Sequence, residues 1–187
     1  MTAKIPQPVP LRSPLAAAAL GASLLLAVLP AVLPGAPAAA AALDACSLVD
    51  PAAAAKILGH PVTPKPVDSA AAGNDASLCS YQGGGLHGGF LLIAAPLRAD
   101  DLAATVDAQK KSVLEDSAPP GVPLPKPTIV DLPDLGDAAF LVTTDDNLQL
   151  HVFAAGDKLV LDRNLAPSPA AIDQAEALAR AAIKGLK

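Results

Sequence analysis

The chain has 187 residues, 52% of them hydrophobic but only 2% aromatic, with 13 basic against 18 acidic side chains. With no tryptophan, one tyrosine and three phenylalanines, it lacks the stacking platforms that hold single-stranded nucleic acid or sugar rings, and its core must be aliphatic. The acidic balance repels nucleic acid and anionic headgroups, and no basic cluster exceeds the pair Lys110 and Lys111, so neither is an expected partner.

Two cations, Lys4 and Arg12, precede a charge-free run from Ser13 to Leu43 that passes through Leu24, Leu25 and Leu26. The run ends in alanines, of which Ala40 and Ala42 supply the small residues a signal peptidase requires. Residues 1–42 are therefore expected to be a signal peptide, and residues 43–187 a single secreted α+β domain in the periplasm or the medium, off the membrane once cleaved. Two alternatives stay open. The apolar run Leu15–Leu33 has the length of a membrane span, although Pro30, Pro34 and Pro37 weaken an uncleaved anchor. Leu43-Asp44-Ala45-Cys46 has the outline of a bacterial lipobox that would lipidate Cys46, although Asp44 is out of place there.

Cleavage leaves 11 basic against 18 acidic groups, sixteen of the acids being aspartate, which favours solubility rather than naming a partner. Cys46 and Cys79 are the two cysteines of the chain. An even number in an oxidising compartment points to a structural disulfide, and neither a C-x-x-C spacing nor a histidine pair at ligand spacing supports a metal or redox pair.

Asp50 as N-cap, Pro51 at the first helical position and Gly59 beyond Leu58 delimit a short first helix. Pro61, Pro64 and Pro66 and the small, polar run Ser69 to Asp75 read as a connector without regular structure. Leu78–Gln82 and Phe90–Ala95 read as strands of a hairpin with a glycine-rich tip, the second apolar throughout and hence a buried central strand. After Pro96, Asp100 or Asp101 caps a helix to about Leu114, with Leu102, Val106 and Val113 on one face and Asp107, Lys110 and Lys111 on the other. Five prolines between Ser117 and Pro127 make an extended loop. Strands then follow at Thr128–Leu132, Ala138–Thr144, Leu148–Ala155 and Leu159–Asp162, joined by turns at Asp145-Asp146-Asn147 and Gly156-Asp157. Ser168 and Pro169 open a last helix with Ile172, Ala175, Ala179, Ala182 and Leu186 on one face. The order α-β-β-α-β-β-β-β-α predicts an antiparallel sheet with helices packed on one face.

Cys46-Ser47-Leu48, Leu58-Gly59, Cys79-Ser80-Tyr81, the stretch Leu135 to Phe140 and the hairpin Leu150 to Leu159 together resemble a group of bacterial secreted proteins and lipoproteins of unknown function. Some members look like the PsbP-like α+β fold. The resemblance implies that fold and an envelope address, and it brings no catalytic residue.

No catalytic, cofactor-binding or metal-binding residue can be named. Gly83-Gly84-Gly85-Leu86-His87-Gly88 matches G-x-G-x-x-G in form, but a strand follows where a dinucleotide site needs a helix, so it reads as a hairpin tip. Asp131, Asp134 and Asp137 lack the alternate-residue ligands and closing glutamate of a calcium loop, and Asp145 and Asp146 suit a solvated turn. His60, His87 and His151 form no H-E-x-x-H motif, G-x-S-x-G is missing, and the two glutamates, Glu115 and Glu176, lie on separate helices. Two functions remain. One is a non-catalytic envelope protein, a binding or accessory domain that meets a small ligand or another envelope protein through its sheet face or proline-rich loop; the other is a periplasmic hydrolase with an unrecognised site. An apolar groove favours the first, and a cleft lined by histidines and aspartates the second.

The charge-free run and its alanine end generate the first expected outcome. Sequencing of the protein from the envelope or medium should start at or within two residues of Leu43; a chain that still carries Met1 would show the segment to be retained.

Overall fold

The computed structural model describes residues 43–68, 75–85, 88–116 and 126–186. Helix α1 (Pro51–Leu58) begins where the sequence places it: the Asp50 carboxylate accepts from the amides of Ala52 and Ala53, Pro51 needs no donor, and Gly59 at φ 79° ends it in the left-handed region. Seven strands follow, β1 (Thr63–Val67), β2 (Ser77–Gln82), β3 (Phe90–Pro96), β4 (Thr128–Asp131), β5 (Ala138–Thr143), β6 (Leu148–Ala154) and β7 (Asp157–Arg163). Helix α2 (Leu102–Asp116) separates β3 from β4, and α3 (Pro169–Gly185), capped by the Ser168 hydroxyl, closes the chain.

The strands form one antiparallel sheet in the order β1-β2-β3-β7-β6-β5-β4, and the fold class is α+β as expected. Two meanders, β1 to β3 and β4 to β7, join through the β3–β7 pairing.

Strand β1 corrects the sequence reading. Pro64 and Pro66 lie within it, yet Thr63–Val67 pairs along its length with Leu78–Gln82. At a sheet edge alternate residues turn their N–H groups outward, so two prolines spaced by two occupy positions where no donor is called for. The polar part of that connector, residues 69–74, lies outside the described residues, as do residues 117–125 of the proline-rich loop.

Alternation along each strand divides the side chains between two faces. The first face carries Tyr81, Phe90, Leu92, Leu150, Val152, Leu159 and Leu161, all buried, and packs against α1 and α3 in the larger core. Helix α3 approaches closely because its inner face is small: Ala171, Ala175, Ala179 and Ala182 are buried around Leu178. At its end a Cβ on Gly185 would stand 2.6 Å from the Leu48 carbonyl oxygen, so only glycine fits there.

The second face carries Phe140, Val142 and Phe153, which with Val106 of α2 form a separate, smaller cluster. Helix α2 thus lies on the reverse side from α1 and α3, and this follows from connectivity. The chain must pass from β3, inside the sheet, to β4 at its far edge, and α2 crosses β4 to β6 on the side the other helices leave open. Asp101 caps it, accepting from the Ala104 amide at 3.0 Å.

Three residues of β2 hold the segment ahead of α1, the first being Ser77, whose hydroxyl accepts from the Ala45 amide at 3.0 Å. Cys46 and Cys79 are bonded across a Cα–Cα distance of 5.0 Å. Two residues along, the fully buried Tyr81 aims its hydroxyl at three carbonyls, donating to Val49 at 3.0 Å with Cys46 and Ala45 at 3.2 and 3.3 Å. Burial raises the Tyr81 pKa, so it stays a donor. The disulfide fits an oxidising, extracellular compartment, and with its sulfur so used Cys46 has no thiol left for a lipid.

The bond closes a separation of 33 residues, which in the chain-entropy picture stabilises the fold by roughly 3 to 4 kcal/mol. Thermal unfolding of the Cys46→Ser, Cys79→Ser double variant should show a loss of that order. An unchanged midpoint would mean that Ser77, Tyr81 and the apolar contacts alone hold the segment.

Candidate functional site beneath helix α2

Residues 102, 106, 110 and 113 recur at four, four and three, so all four point the same way from α2. Lys110 therefore faces the sheet, which corrects its assignment to the outer face beside Asp107 and Lys111. Its Nζ lies 2.6 Å from the Asp131 carboxylate of β4 and 5.7 Å from the centre of the Phe140 ring. The stem of a lysine covers apolar surface well, and its charge here meets both an acid and a ring face. Lys111 stays outside and pairs with Glu115 one turn on.

Between α2 and the start of β5 lies a cleft of about 520 Å³. Leu102, Val106, Pro133, Ala138 and Ala139 give it an apolar lining. Lys110 and three aspartates, Asp107, Asp131 and Asp137, supply its charges. Two of these acids are already engaged: Asp131 with Lys110, and Asp137 through an oxygen that accepts from the Ala155 amide at 3.1 Å. The second bond supports the β6–β7 turn, where Ala155 and Gly156 both take left-handed angles.

Beside the cluster that floors α2 stands His151 of β6. It is 4% exposed, and its ring lies flat on Phe140 with centroids 4.6 Å apart. Among the described residues neither ring nitrogen has a hydrogen-bond partner. Burial, followed by the nearby Lys158 charge, lowers its pKa to about 4, so the ring is neutral at pH 7. Lys158 of β7 is itself partly buried, which lowers its pKa, and it donates to the Gln109 side chain of α2. Four residues further along β7, Asp162 accepts from the side-chain amides of Asn147 at 3.0 Å and Gln149 at 2.8 Å.

The rest of the second face is less covered. Val67, Leu78, Ile93 and Val160 form one cross-strand row from β1 to β7 that continues through His151 and Phe140 to Asp131. Val67 is 39% exposed, and Leu78, Ile93 and Val160 are only half-buried. Strand β3 is consequently buried on one side alone: Phe90, Leu92 and Ala94 are enclosed, whereas Leu91, Ile93 and Ala95 are partly open. A second hollow of about 420 Å³ lies at the β2–β3 end, against Ser80, Gln82, Leu91 and Asp162.

The glycine-rich stretch is a hairpin tip, as its sequence context indicated, with Tyr81 opposite Phe90. Its composition has a packing cause. A Cβ on Gly83 would meet the Pro61 carbonyl at 2.1 Å, and one on Gly84 would meet the His60 ring at 2.5 Å. His60 therefore covers the tip, and His87 lies outside the described residues. Asp134 accepts from Arg180 through its carbonyl at 3.0 Å, and Asp146 accepts from Thr144 within its turn at 3.3 Å. Among the described residues no three histidine, cysteine, aspartate or glutamate side chains are placed to hold a metal ion. No helix among them is long and apolar enough to cross a membrane. The groups that reading by motif missed are Lys110, His151 and Lys158, and the four-residue spacing from Leu102 and Val106 was a signal sufficient to place the first.

Comparison with models of known families, with curated proteins and with solved structures found no match to this chain.

Lys110 and Lys111 are adjacent in sequence but differ in surroundings. Lys110→Ala should cost about 1 kcal/mol, since its acid partner is largely exposed and the pair is screened, while Lys111→Ala should stay within about 0.5 kcal/mol. Chemical unfolding of the two variants checks this; equal effects would place Lys110 outside the docking of α2.

Proposed function

We propose that the protein is an exported, non-catalytic binding or accessory domain of the bacterial envelope, and that it takes a small amphipathic molecule in the cleft beneath α2. Its address rests on the signal-like residues 1–42, the disulfide and the resemblance to secreted proteins and lipoproteins. The observation that carries the binding reading is the cleft: its volume of about 520 Å³ falls within the range of small-molecule sites, roughly 300 to 1,000 Å³, and its lining joins six apolar residues to four charged ones.

General acid–base chemistry has little support here. Asp131 and Asp137 are spent on Lys110 and the Ala155 amide, which leaves Asp107 without a second carboxylate or a histidine to work with. Three acids against one base give the cleft a net negative rim, so a ligand with an apolar body and a cationic head suits it better than an anion.

A matched pair of probes tests this. In a titration of the isotope-labelled mature protein followed by NMR, decylamine should shift the amides of Val106, Ala138 and Ala139 and saturate before decanoate does. Val106→Phe, which fills the floor, should abolish the effect with the fold intact. Shifts confined to β1–β3, or none, would refute the cleft as the site, and steady hydrolysis of an ester substrate would favour a hydrolase.

A further inference from the structure

We infer that His151 is an acid-sensitive latch for α2: protonation of its ring releases the helix from the second face and dismantles the cleft. As regulation of ligand binding this rests on the proposed function above; as a property of the fold it stands alone.

The ring lies at the junction that holds α2. It stacks on Phe140, whose ring Lys110 overlies, and Phe140 packs with Val106, which lines the cleft. A histidine 4% exposed with both nitrogens unpartnered among the described residues is an exception to the rule that buried polar groups are hydrogen-bonded. Neutral, it acts as a flat apolar ring; charged, it would need an acceptor or water.

Among the described residues no neighbouring group accepts a hydrogen bond from it. From β7 the second face receives Lys158, a like charge, and Asp162, whose oxygens already accept from Asn147 and Gln149. From α2 come Lys110, another like charge, and Asp107, which is exposed and lines the cleft. From β4 comes Asp131, engaged by Lys110. The residues of β5 paired with this part of β6, Phe140 and Val142, are apolar. An imidazolium at position 151 therefore feels the Lys158 charge and has no carboxylate of its own among the described residues, and the way to hydrate it is to lift the helix.

Helix α2 is the element able to respond. Its cluster has four buried members, Val106, Phe140, Val142 and Phe153, against the much larger core under α1 and α3. Small clusters open at lower free energy than the whole domain.

The linkage has a definite sign. The open state has an ordinary histidine pKa of 6.5 and the closed state one of about 4, so the open state binds more protons and α2 loses its hold as the pH falls from 6.5 towards 4. At pH 5 the two values imply opening favoured by about 20-fold relative to pH 7.

Hydrogen exchange on the ligand-free, disulfide-bonded mature protein tests the latch. After correction for intrinsic rates, protection across Leu102–Asp116 should fall about 20-fold between pH 7 and pH 5, while protection of α3 is unchanged. His151→Phe keeps a stacked ring that does not titrate, and there the loss in α2 should vanish. Equal protection of α2 at both pH values, or the same loss in the variant, would overturn the inference. NMR titration of the His151 ring in the parent is a check that does not depend on the variant folding: the ring should stay neutral down to pH 5, and a midpoint between 6 and 7 would overturn the inference. Because no ligand is present, loss of α2 protection without decylamine binding would leave the latch and remove the binding reading. Decylamine binding without loss of protection would do the reverse.

Discussion

Between β3 and β4 the chain has to travel from inside the sheet to its far edge, past β7, β6 and β5. One face is already occupied by α1 and α3, so the crossing runs over the other, and a 15-residue helix is what spans it. Such a helix is about 22 Å long, enough for about four or five strand spacings but not for the whole sheet. The uneven second face follows: Phe140, Val142 and Phe153 are covered, and Val67, Leu78 and Ile93 are left half-open. The cleft lies where the helix meets the turn region ahead of β5, because Pro133 and the chain leading to Ala138 bend away from the strand direction there.

The first face is closed by a different device. With so few aromatic residues, the core fills its space by close approach rather than by bulk, and the alanines of α3 let the helix settle onto β6 and β7. The segment from Leu43 to Asp50 has little regular structure of its own, and β2 holds it through three residues on one side of the strand, Ser77, Cys79 and Tyr81. The spacing of two between them is the strand period, which explains why the last two occur as Cys-x-Tyr. The phenolic ring also stacks on Phe90 at 4.3 Å, so one side chain ties the N-terminal segment, β2 and β3 together.

Local chemistry was the most legible part of the sequence. The caps at Asp50, Asp101 and Ser168, the terminating Gly59 and the turn residues between β5, β6 and β7 each act within a few positions of themselves, and the structure has them where the sequence put them. The prolines of β1 misled because an edge strand has outward positions that accept them, and being at an edge is a property of the sheet rather than of the segment. Lys110 misled because charge was taken for exposure, against the helical spacing that joins it to Val106. His151 could not be placed by motif at all. Its importance lies in what surrounds it on β5, β7 and α2, and these are brought together only by the register of three strands.

The two faces also differ in how they respond to change. On the first, a covalent bond, a buried hydroxyl with three carbonyls in reach and a continuous apolar core act together, so disturbing one part is resisted by the others. On the second, α2 is held by four buried side chains and by polar contacts at its rim, and its core includes one side chain whose charge depends on pH. Elements that must admit or release a ligand are drawn from the less stable part of a fold, since an opening that cost the global unfolding energy would be too rare to serve. The sequence divides these tasks by strand parity. On β6, Leu148, Leu150, Val152 and Ala154 belong to the rigid face, and Gln149, His151 and Phe153 to the face that can open.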